Sequence, residues 1–172
     1  MRKILLFSLS LIFLSLTSCM EETDVWDSSV KDVSGEWWVR YTLNGVEQKG
    51  YVKLITSNTA ADDGKSIWID DQGKFWTYKV KCPVNMNSMT FSGDQLISAA
   101  ISNGSLYDIG VTVADGKVIK KGGFSTSGVV TDSIYFKVSF EDDVDENGDP
   151  APYSNIYEVS GVRRTGFVED EH

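Results

Sequence analysis

The stretch SGEWWVRYTLNG, residues 34–45, sets two tryptophans side by side at the start of an alternating run that ends in an Asn-Gly pair. Neighbouring side chains of a β-strand point to opposite faces. Trp37 shares its parity with the apolar positions of this run and is expected to point inward, whereas Trp38 shares it with the polar positions. Trp38 is therefore expected to point outward and to lie under an outer element, such as the chain around Val25 and Trp26.

Short alternating runs separated by turn residues fill the rest of the chain from Gly35 onward. The predicted strands are 36–43, 46–55, 66–69, 74–82, 88–92, 106–113, 117–124, 129–140 and 154–164. The predicted turns are Asn44-Gly45, Asp70 to Gly73 and Asp115-Gly116. A short helix fits only at residues 94–102, with Asp94 as its cap. Eight or nine short antiparallel strands indicate an all-β domain, either a closed barrel or a sandwich, and closure removes exposed strand edges.

The inner wall of the domain can be read from the alternation. SIYFKVSF, residues 133–140, is the clearest strand, because its apolar residues recur at every second position. The same reading of the other strands gives an inward set of Trp37, Val39, Tyr41, Leu43, Val52, Leu54, Trp76, Tyr78 and Val80. A small barrel is either packed solid or holds one small ligand, and the pattern does not distinguish the two.

The first 19 residues have the order of a secretory signal. Arg2 and Lys3 precede an apolar stretch that is too short to span a membrane, and small residues follow it. The ending Leu-Thr-Ser-Cys resembles the bacterial lipobox, which implies removal of residues 1–18 and a lipid on Cys19. Residues 19–33 have no sustained period and are predicted to be an acidic tether. The predicted domain organisation is a signal peptide (1–18), this tether, and a β-barrel domain (34–172).

The residues after Cys19 bear on the location of the anchored protein. Met20 stands where an aspartate retains many lipoproteins in the inner membrane, so the outer membrane is the expected location. Glu21 and Glu22 resemble an acidic tag that directs some lipoproteins to the cell surface, although an acidic tether is equally often a solvated linker. The sequence leaves both the periplasmic and the cell-surface side open.

The charge of the chain excludes one class of partner. The net charge is −9, and loss of Arg2 and Lys3 with the signal makes it −11. No basic stripe remains that would neutralise phosphates, so nucleic acid is not an expected partner. Membrane association is expected to come from the lipid anchor alone. With Cys19 acylated, Cys82 is the remaining thiol, and we expect it to be a small buried apolar residue.

Two features resemble the lipocalin-like, or calycin, barrels. Gly35-Glu36-Trp37 matches the Gly-x-Trp signature at the start of their first strand. In those barrels an arginine late in the chain packs over the tryptophan, and SGVRRTGF, residues 160–167, supplies Arg163 and Arg164. The resemblance implies that Trp37 is a structural plug covered by Arg163, or by Arg164 if the register differs by one.

A more specific resemblance is to the lipid-binding putative hydrolase family of secreted bacterial lipoproteins. The segments that carry it are SGEWWV, NTAADDGKSIWIDDQGKFWTYKVK, MTFSG and SGVRRTGF, spread over most of residues 34–167. The family is understood to be calycin-like, and its name implies lipid binding and hydrolysis. This favours a pocket over a packed barrel. The expected ligand-binding residues are Tyr41, Trp76 and Tyr78, with Trp68 as a fourth, although Ile67 and Ile69 compete with it for the inner face.

Catalysis finds little support in the residue types. The chain has one histidine, His172, at the end of the sequence, where we expect it to be frayed and far from any strand. An alternative function is a carboxylate-dependent hydrolase that uses acidic residues flanking the IWI strand, although such residues more often form exposed turns. These residues are Asp62, Asp63, Asp70 and Asp71. The other alternative is an interaction module with a packed barrel. No catalytic residue and no cofactor is assigned.

Metal ligands are equally sparse. Zinc is not expected, because the chain has neither a thiolate pair nor a histidine pair. Residues 143–154, DVDENGDPAPYS, have acidic residues at the spacing of a calcium loop, but Ser154 stands where a bidentate glutamate is required. The segment is therefore not an EF-hand. Two interpretations stay open: a weak calcium site at the surface, or an acidic hairpin loop that binds no metal. No metal ligand is assigned.

Overall fold

The computed structural model describes residues 27–172, which form ten β-strands and a 3-10 turn, Val168–Asp170. The strands are β1 Gly35–Leu43, β2 Val46–Asn58, β3 Ser66–Asp70, β4 Lys79–Asn85, β5 Thr90–Ile97, β6 Ala100–Ser102, β7 Ser105–Tyr107, β8 Gly110–Phe124, β9 Val130–Phe140 and β10 Tyr157–Arg163. The all-β prediction is confirmed. Within these residues no helix has the length and apolar character needed to cross a membrane.

Eight of the strands close into an antiparallel barrel in the order β1-β10-β9-β8-β5-β4-β3-β2. Strands β6 and β7 form a separate two-stranded hairpin inserted between β5 and β8. Pairing of β1 with β10, from Trp37 opposite Arg163 to Thr42 opposite Glu158, completes the closure. The prediction of a single closed barrel is confirmed, and closure pairs the edges that an open sheet would expose.

Two predicted elements are wrong. Residues 94–102 contain no helix, because they form the end of β5 and all of β6. Asp94 accepts a hydrogen bond from the Thr112 hydroxyl at 2.7 Å. Asp115-Gly116 is not a hairpin turn but a bulge inside β8, with Asp115 at a φ of +55°. Gly116 is needed there because a Cβ would collide with the ring of Phe91. The bulge lets β8 continue as one long strand.

The turns on either side of β2 and β3 show why one prediction is right and another is incomplete. Asn44 and Gly45 have φ values of 51° and 78°, as a two-residue hairpin turn of type I′ requires. The predicted turn at Asp70 to Gly73 exists but continues as a loop, so β4 begins at Lys79 and not at residue 74. Thr77, at a φ of +64°, interrupts the extended backbone just before β4.

Large apolar side chains fill the interior of the barrel. The inward positions of β9, from Ile134 to Phe140, are buried as the alternation predicts. The largest fully buried side chains include Trp37, Tyr41, Leu54, Ile67, Ile69, Tyr78, Ile134, Phe136 and Phe140. Cys82 is a free, fully buried thiol, as expected, and burial raises its pKa to about 12. The core is therefore continuous along the barrel axis.

One end of the barrel, the Arg163 end, is closed by Trp37 and the chain that precedes β1. The Arg163 guanidinium lies 4.5 Å from the centroid of the Trp37 ring, and its Nε pairs with Asp132 at 3.1 Å. Val30 and Val33 are buried in the core, so the domain begins before residue 34 and the predicted tether is too long at that side. Gly35 permits the packing, because a Cβ there would collide with Nη1 of Arg163.

Trp38 lies on the outer face of β1, and the C-terminal segment covers it. The His172 ring meets the Trp38 ring edge-on at 5.4 Å and stacks on Tyr51 at 4.2 Å. The expectation that His172 is frayed and far from the strands is wrong, because these rings and the Thr126 hydroxyl hold it. The proposed cover at Val25 and Trp26 lies outside the described residues. Trp38 is thus only 9% exposed, although it points away from the core.

The C-terminal segment is fixed by a buried carboxylate. Asp170 accepts hydrogen bonds from the Thr165 hydroxyl at 2.7 Å and from the Ser127 backbone N–H at 2.6 Å. Burial by itself would raise the pKa of Asp170, but these hydrogen bonds outweigh it and lower the pKa to about 2. The segment is therefore tied to the β8–β9 loop across the outer wall of the barrel.

Candidate functional site

The opposite end of the barrel, the Trp76 end, carries a cluster of aromatic rings. It forms because the loop of residues 71–78 places Phe75 and Trp76 over the inward rings of the strands. Phe75 stacks on Tyr41 with 4.2 Å between ring centroids, and Trp76 stacks on Phe140 at 4.5 Å with 2° between the planes. Both loop rings also contact Tyr157, at 5.0 and 5.6 Å. The two loop rings thus close this end.

The 71–78 loop is organised by one carboxylate, Asp71, which is only 1% exposed. Its two oxygens accept hydrogen bonds from five backbone N–H groups of the same loop, those of Gly73, Phe75, Trp76, Thr77 and Tyr78, at 2.9–3.2 Å. Backbone donors that are shielded from water need acceptors, and no strand neighbour supplies them in this loop. Asp71 therefore fixes the backbone that presents Phe75 and Trp76.

A second carboxylate, Asp142, connects the loop to two other parts of the Trp76 end. Its Oδ1 accepts a hydrogen bond from Nε1 of Trp76 at 2.9 Å, and its Oδ2 accepts one from the Tyr107 hydroxyl. Burial, together with this hydrogen bond to Asp142, raises the pKa of Tyr107 to about 12. Asp142 thereby links the 71–78 loop, the β6–β7 hairpin and the β9–β10 loop at one exposed point.

Beneath the loop rings, the hydroxyls of Tyr41 and Tyr78 meet at 3.2 Å in the barrel interior. Both side chains are fully buried. Burial is the main cause that raises both phenol pKa values, and the charge of Asp71 raises them further. The pair is a polar feature among the apolar rings at the Trp76 end.

This pair predicts a loss of stability in alkali. An unfolded tyrosine ionises near pH 10. Because both folded pKa values are raised, the pair contributes stability that is fully present below about pH 10 and is lost as the pH rises beyond it. Phenolate absorbance should show part of the seven tyrosines ionising only within the unfolding transition. Titration of all seven without loss of the fold would contradict the burial of the pair.

Three of the four predicted ligand-binding residues are brought together. Tyr41 and Tyr78 lie on the inner wall, and Trp76 lies in the loop above them. Trp68 is not at this site, since Ile67 and Ile69 occupy the inner face of β3 and Trp68 lies on the outer face, with Lys79 Nζ 5.8 Å from its ring centroid. The predicted inward placement of Trp68 is wrong, because Ile67 and Ile69, its two neighbours in the strand, take the inner face.

The acidic residues around β3 accept hydrogen bonds from nearby loop residues or form local ion pairs. The Asp62 carboxylate accepts hydrogen bonds from the hydroxyls of Ser28 and Ser29, and these bonds lower its pKa. Asp63 accepts from the Lys65 N–H, and Asp70 accepts from the Gln72 N–H and pairs with Lys79 at 3.1 Å. The expectation of exposed turn formers fails for Asp71, which is buried.

The acidic loop at residues 143–154 is held by its own carboxylates. The buried side chain of Asp143 accepts hydrogen bonds from Asn155 and from the Val144 N–H. Asp145 accepts from the N–H groups of Asn147 and Asp149. In residues 27–172 no three acidic, histidine or cysteine side chains are arranged to hold a metal ion. The candidate calcium ligands are thus engaged within the loop.

Two depressions of the described surface lie on the outside of the barrel wall. One of about 710 Å³ is lined by β4, β5, β8 and β9 residues, among them Pro83, Phe91 and Tyr135. Another of about 290 Å³ lies beside the 71–78 loop, between Asp71 and Ile101. Tyr41, Trp76 and Phe140 line neither of them. With the loop in this position, side chains fill the barrel interior.

Sequence reasoning missed most of the residues that build the site. The sequence pattern does not identify Phe75 and Tyr157 as neighbours of the inner wall. It also does not identify Asp71 and Asp142 as the hydrogen-bond acceptors that hold the loop. The aromatic pair Phe75-Trp76, one residue after an Asp-Gln-Gly turn, is a signal for a ring-bearing loop. No periodicity reveals the two carboxylates, because their partners are backbone groups and distant loops.

Comparison with known proteins gives the class. A family model described as lipid-binding putative hydrolase matches residues 22–168. The chain belongs to this family, as its sequence segments indicated. No curated protein matches it. The family and the closed barrel together support lipid binding.

Proposed function

We propose that the protein binds a lipid or another small apolar molecule at the Trp76 end of the barrel, outside the cytoplasm. The observation that carries this proposal is the ring cluster of Tyr41, Phe75, Trp76 and Phe140, in which two of the rings belong to a loop. Rings on a loop can leave the barrel end without breaking any strand pairing. A ligand that enters there replaces their apolar contacts with its own.

The energetics of exchange favour an apolar guest. Burial of apolar surface contributes about 25 cal/mol per Å². When Phe75 and Trp76 move outward, the inner rings beneath them lose that burial, and an acyl chain or a ring system restores it. The Trp76–Asp142 hydrogen bond at 2.9 Å is exposed, so water compensates for its loss. In the proposed opening the two side chains rotate outward while Asp71 keeps its hydrogen bonds to the loop backbone. The cost of opening is therefore concentrated in the apolar contacts that the ligand can remake.

We further propose that a lipid on Cys19 holds the protein at the outer membrane. The support is the lipobox-like order of residues 1–19 and the absence of an aspartate at Met20. Seven residues lie between Cys19 and Asp27, so the eight steps along the chain span at most roughly 28 Å. The chain enters the barrel at the Arg163 end, so the ring cluster lies at the end away from the anchor.

Replacing Trp76 by alanine should weaken the binding of a fluorescent, uncharged fatty-acid ester probe more than replacing Trp38 does. Trp76 covers the proposed site, whereas Trp38 lies on the outer wall under His172. We expect the displaced Trp76 ring to lie against the bound acyl chain at the barrel mouth, and loss of such a contact costs about 1–3 kcal/mol, or roughly five- to 150-fold in affinity. Probe titration of the parent and both variants measures the difference.

The two tryptophans serve as matched controls for each other, because each contacts another aromatic ring. Equal losses in the two variants would place the probe elsewhere on the surface. A parent protein that binds no probe, and that carries no lipid by native mass spectrometry, would refute lipid binding itself.

Replacing Cys19 by serine should release the protein from the membrane fraction or leave it unprocessed. The hydroxyl of serine does not form the thioether that carries the diacylglycerol of a lipoprotein. Fractionation of cells that express the parent, Cys19→Ser and, as a control, Cys82→Ser measures the effect. Unchanged membrane fractionation of Cys19→Ser would contradict anchoring at this residue.

A surface interaction module is the second candidate, and the filled interior favours it. Trp38 is not its contact surface, since His172 covers it, but the β6–β7 region exposes Ile97, Ile101 and Leu106, at 58–64%. Retained folding with no lipid bound would support this reading. A carboxylate-dependent hydrolase gains nothing from the geometry, because the four candidate carboxylates are engaged with their own loops.

A further inference from the structure

We propose that the ligand is an uncharged lipid with an acceptor oxygen, such as an ester carbonyl, and that the Tyr41–Tyr78 pair donates a hydrogen bond to that oxygen. The inference rests on the proposed lipid binding and specifies the chemical class of the lipid. Its basis is the hydrogen-bond inventory of the barrel interior under the 71–78 loop.

The tyrosine pair has one more donor than it uses. Each phenol hydroxyl can donate one hydrogen bond. The two hydroxyls share a single hydrogen bond of 3.2 Å, in which one donates to the other. Neither hydroxyl has a further partner among residues 27–172, so one O–H has no acceptor there. A buried donor without an acceptor is unfavourable, and a ligand oxygen would satisfy it.

The position of the pair makes it reachable from the Trp76 end. The ring of Phe75 lies directly on the Tyr41 ring, at 4.2 Å and 21° between planes. Phe140, which stacks on Trp76, also contacts the Tyr78 ring at 5.5 Å. A molecule that displaces Phe75 and Trp76 therefore meets the Tyr41 and Phe140 rings first, and Tyr78 lies next to both of them.

The charges around the pair exclude an anionic head group. No lysine or arginine is among the buried residues of the described chain, so nothing there would neutralise a carboxylate. The nearest buried charge is the Asp71 carboxylate, whose hydrogen bonds go to its own loop. The Asp71 carboxylate repels a second negative charge, whereas a neutral carbonyl has no net charge to be repelled. The interior thus selects acceptor oxygens without charge.

Three probes of equal chain length separate the contributions: methyl palmitate, ionised palmitate above neutral pH, and hexadecane. Each is measured by displacement of an apolar fluorescent dye from the full domain. The ester should bind about three- to tenfold tighter than the alkane, because it gains one hydrogen bond. The ionised acid should bind at least about tenfold weaker than the ester, because it carries a charge into the interior.

The variant that removes both hydroxyls is Tyr41→Phe/Tyr78→Phe. It should keep alkane binding and lose the preference for the ester, whereas the control Tyr135→Phe, on the outer face of β9, should keep that preference. Removal of both partners leaves no orphaned donor, so the fold should persist. If the double variant does not fold, the ranking of the three probes on the parent protein decides the question.

The outcomes distinguish the two proposals. Tightest binding of the ester, with the preference lost in the double variant, supports the inference. Equal binding of all three probes, tightest binding of ionised palmitate, or an ester preference that survives in the double variant overturns it and leaves lipid binding intact. Failure of all three probes to bind overturns lipid binding and, with it, this inference.

Discussion

Asp71→Ala is expected to lower the free energy of unfolding by about 3–5 kcal/mol, in the range of a broken buried polar network. The substitution removes the acceptor of five backbone N–H groups in the 71–78 loop. Each buried donor left without a partner costs about 1–3 kcal/mol. Gly73 is exposed and Phe75 to Thr77 are half-buried, so water recovers part of this loss.

The measurement is urea denaturation followed by tryptophan fluorescence. Asp63→Ala is the matched control, since Asp63 sits eight positions earlier in the chain, is exposed, and accepts a hydrogen bond from one backbone N–H. We expect the free energy of unfolding of Asp63→Ala to be close to that of the parent protein. If the two alanine variants lose the same stability, Asp71 does not organise the loop and the closing of the Trp76 end must have another cause.

The barrel could be predicted because its signals are local. Alternation along β9 places Phe136 and Phe140 inward wherever the strand lies, since side-chain direction depends only on parity. The same rule orients Trp37 and Trp38 correctly. The resemblance to calycin barrels predicts an arginine over Trp37. The structure gives the reason for the contact, since Trp37 and Arg163 are opposite each other in the antiparallel pair of β1 and β10.

The site could not be predicted to the same degree, because it depends on contacts without a sequence period. Trp76 has the parity of an inner-wall residue, yet it stands in a loop, since Asp71 binds the backbone of that loop and Thr77 adopts a left-handed conformation. His172 covers Trp38 through a segment that crosses from the last strand. Such arrangements depend on backbone donors and on long-range packing, which parity does not encode.

Trp37→Ala is expected to destabilise the fold by about 3–5 kcal/mol, the range for a buried aromatic replaced by alanine. Trp37 is fully buried, and its Nε1 donates to the Thr56 hydroxyl at 2.8 Å, which in turn donates to the Val33 carbonyl at 2.7 Å. The substitution leaves a cavity and breaks this chain. It also removes the surface on which the Arg163 guanidinium lies. Denaturant unfolding measures the loss.

Alanine variants of the two arginines at the same end distinguish the contribution of packing to stability from that of surface ion pairs. Arg163→Ala should cost about 1–3 kcal/mol, because it loses the contact with Trp37, the ion pair with Asp132 and the hydrogen bond to the Asp32 carbonyl at 3.2 Å. Arg164→Ala should have a small effect, since its ion pairs with Glu36 and Glu171 lie partly exposed at the surface, where salt screens them. Melting curves that rank Arg164→Ala as the more damaging variant would show that the guanidinium on Trp37 does not close this end. Probe binding should persist in all three variants below their melting temperatures, because the Arg163 end lies opposite the ring cluster.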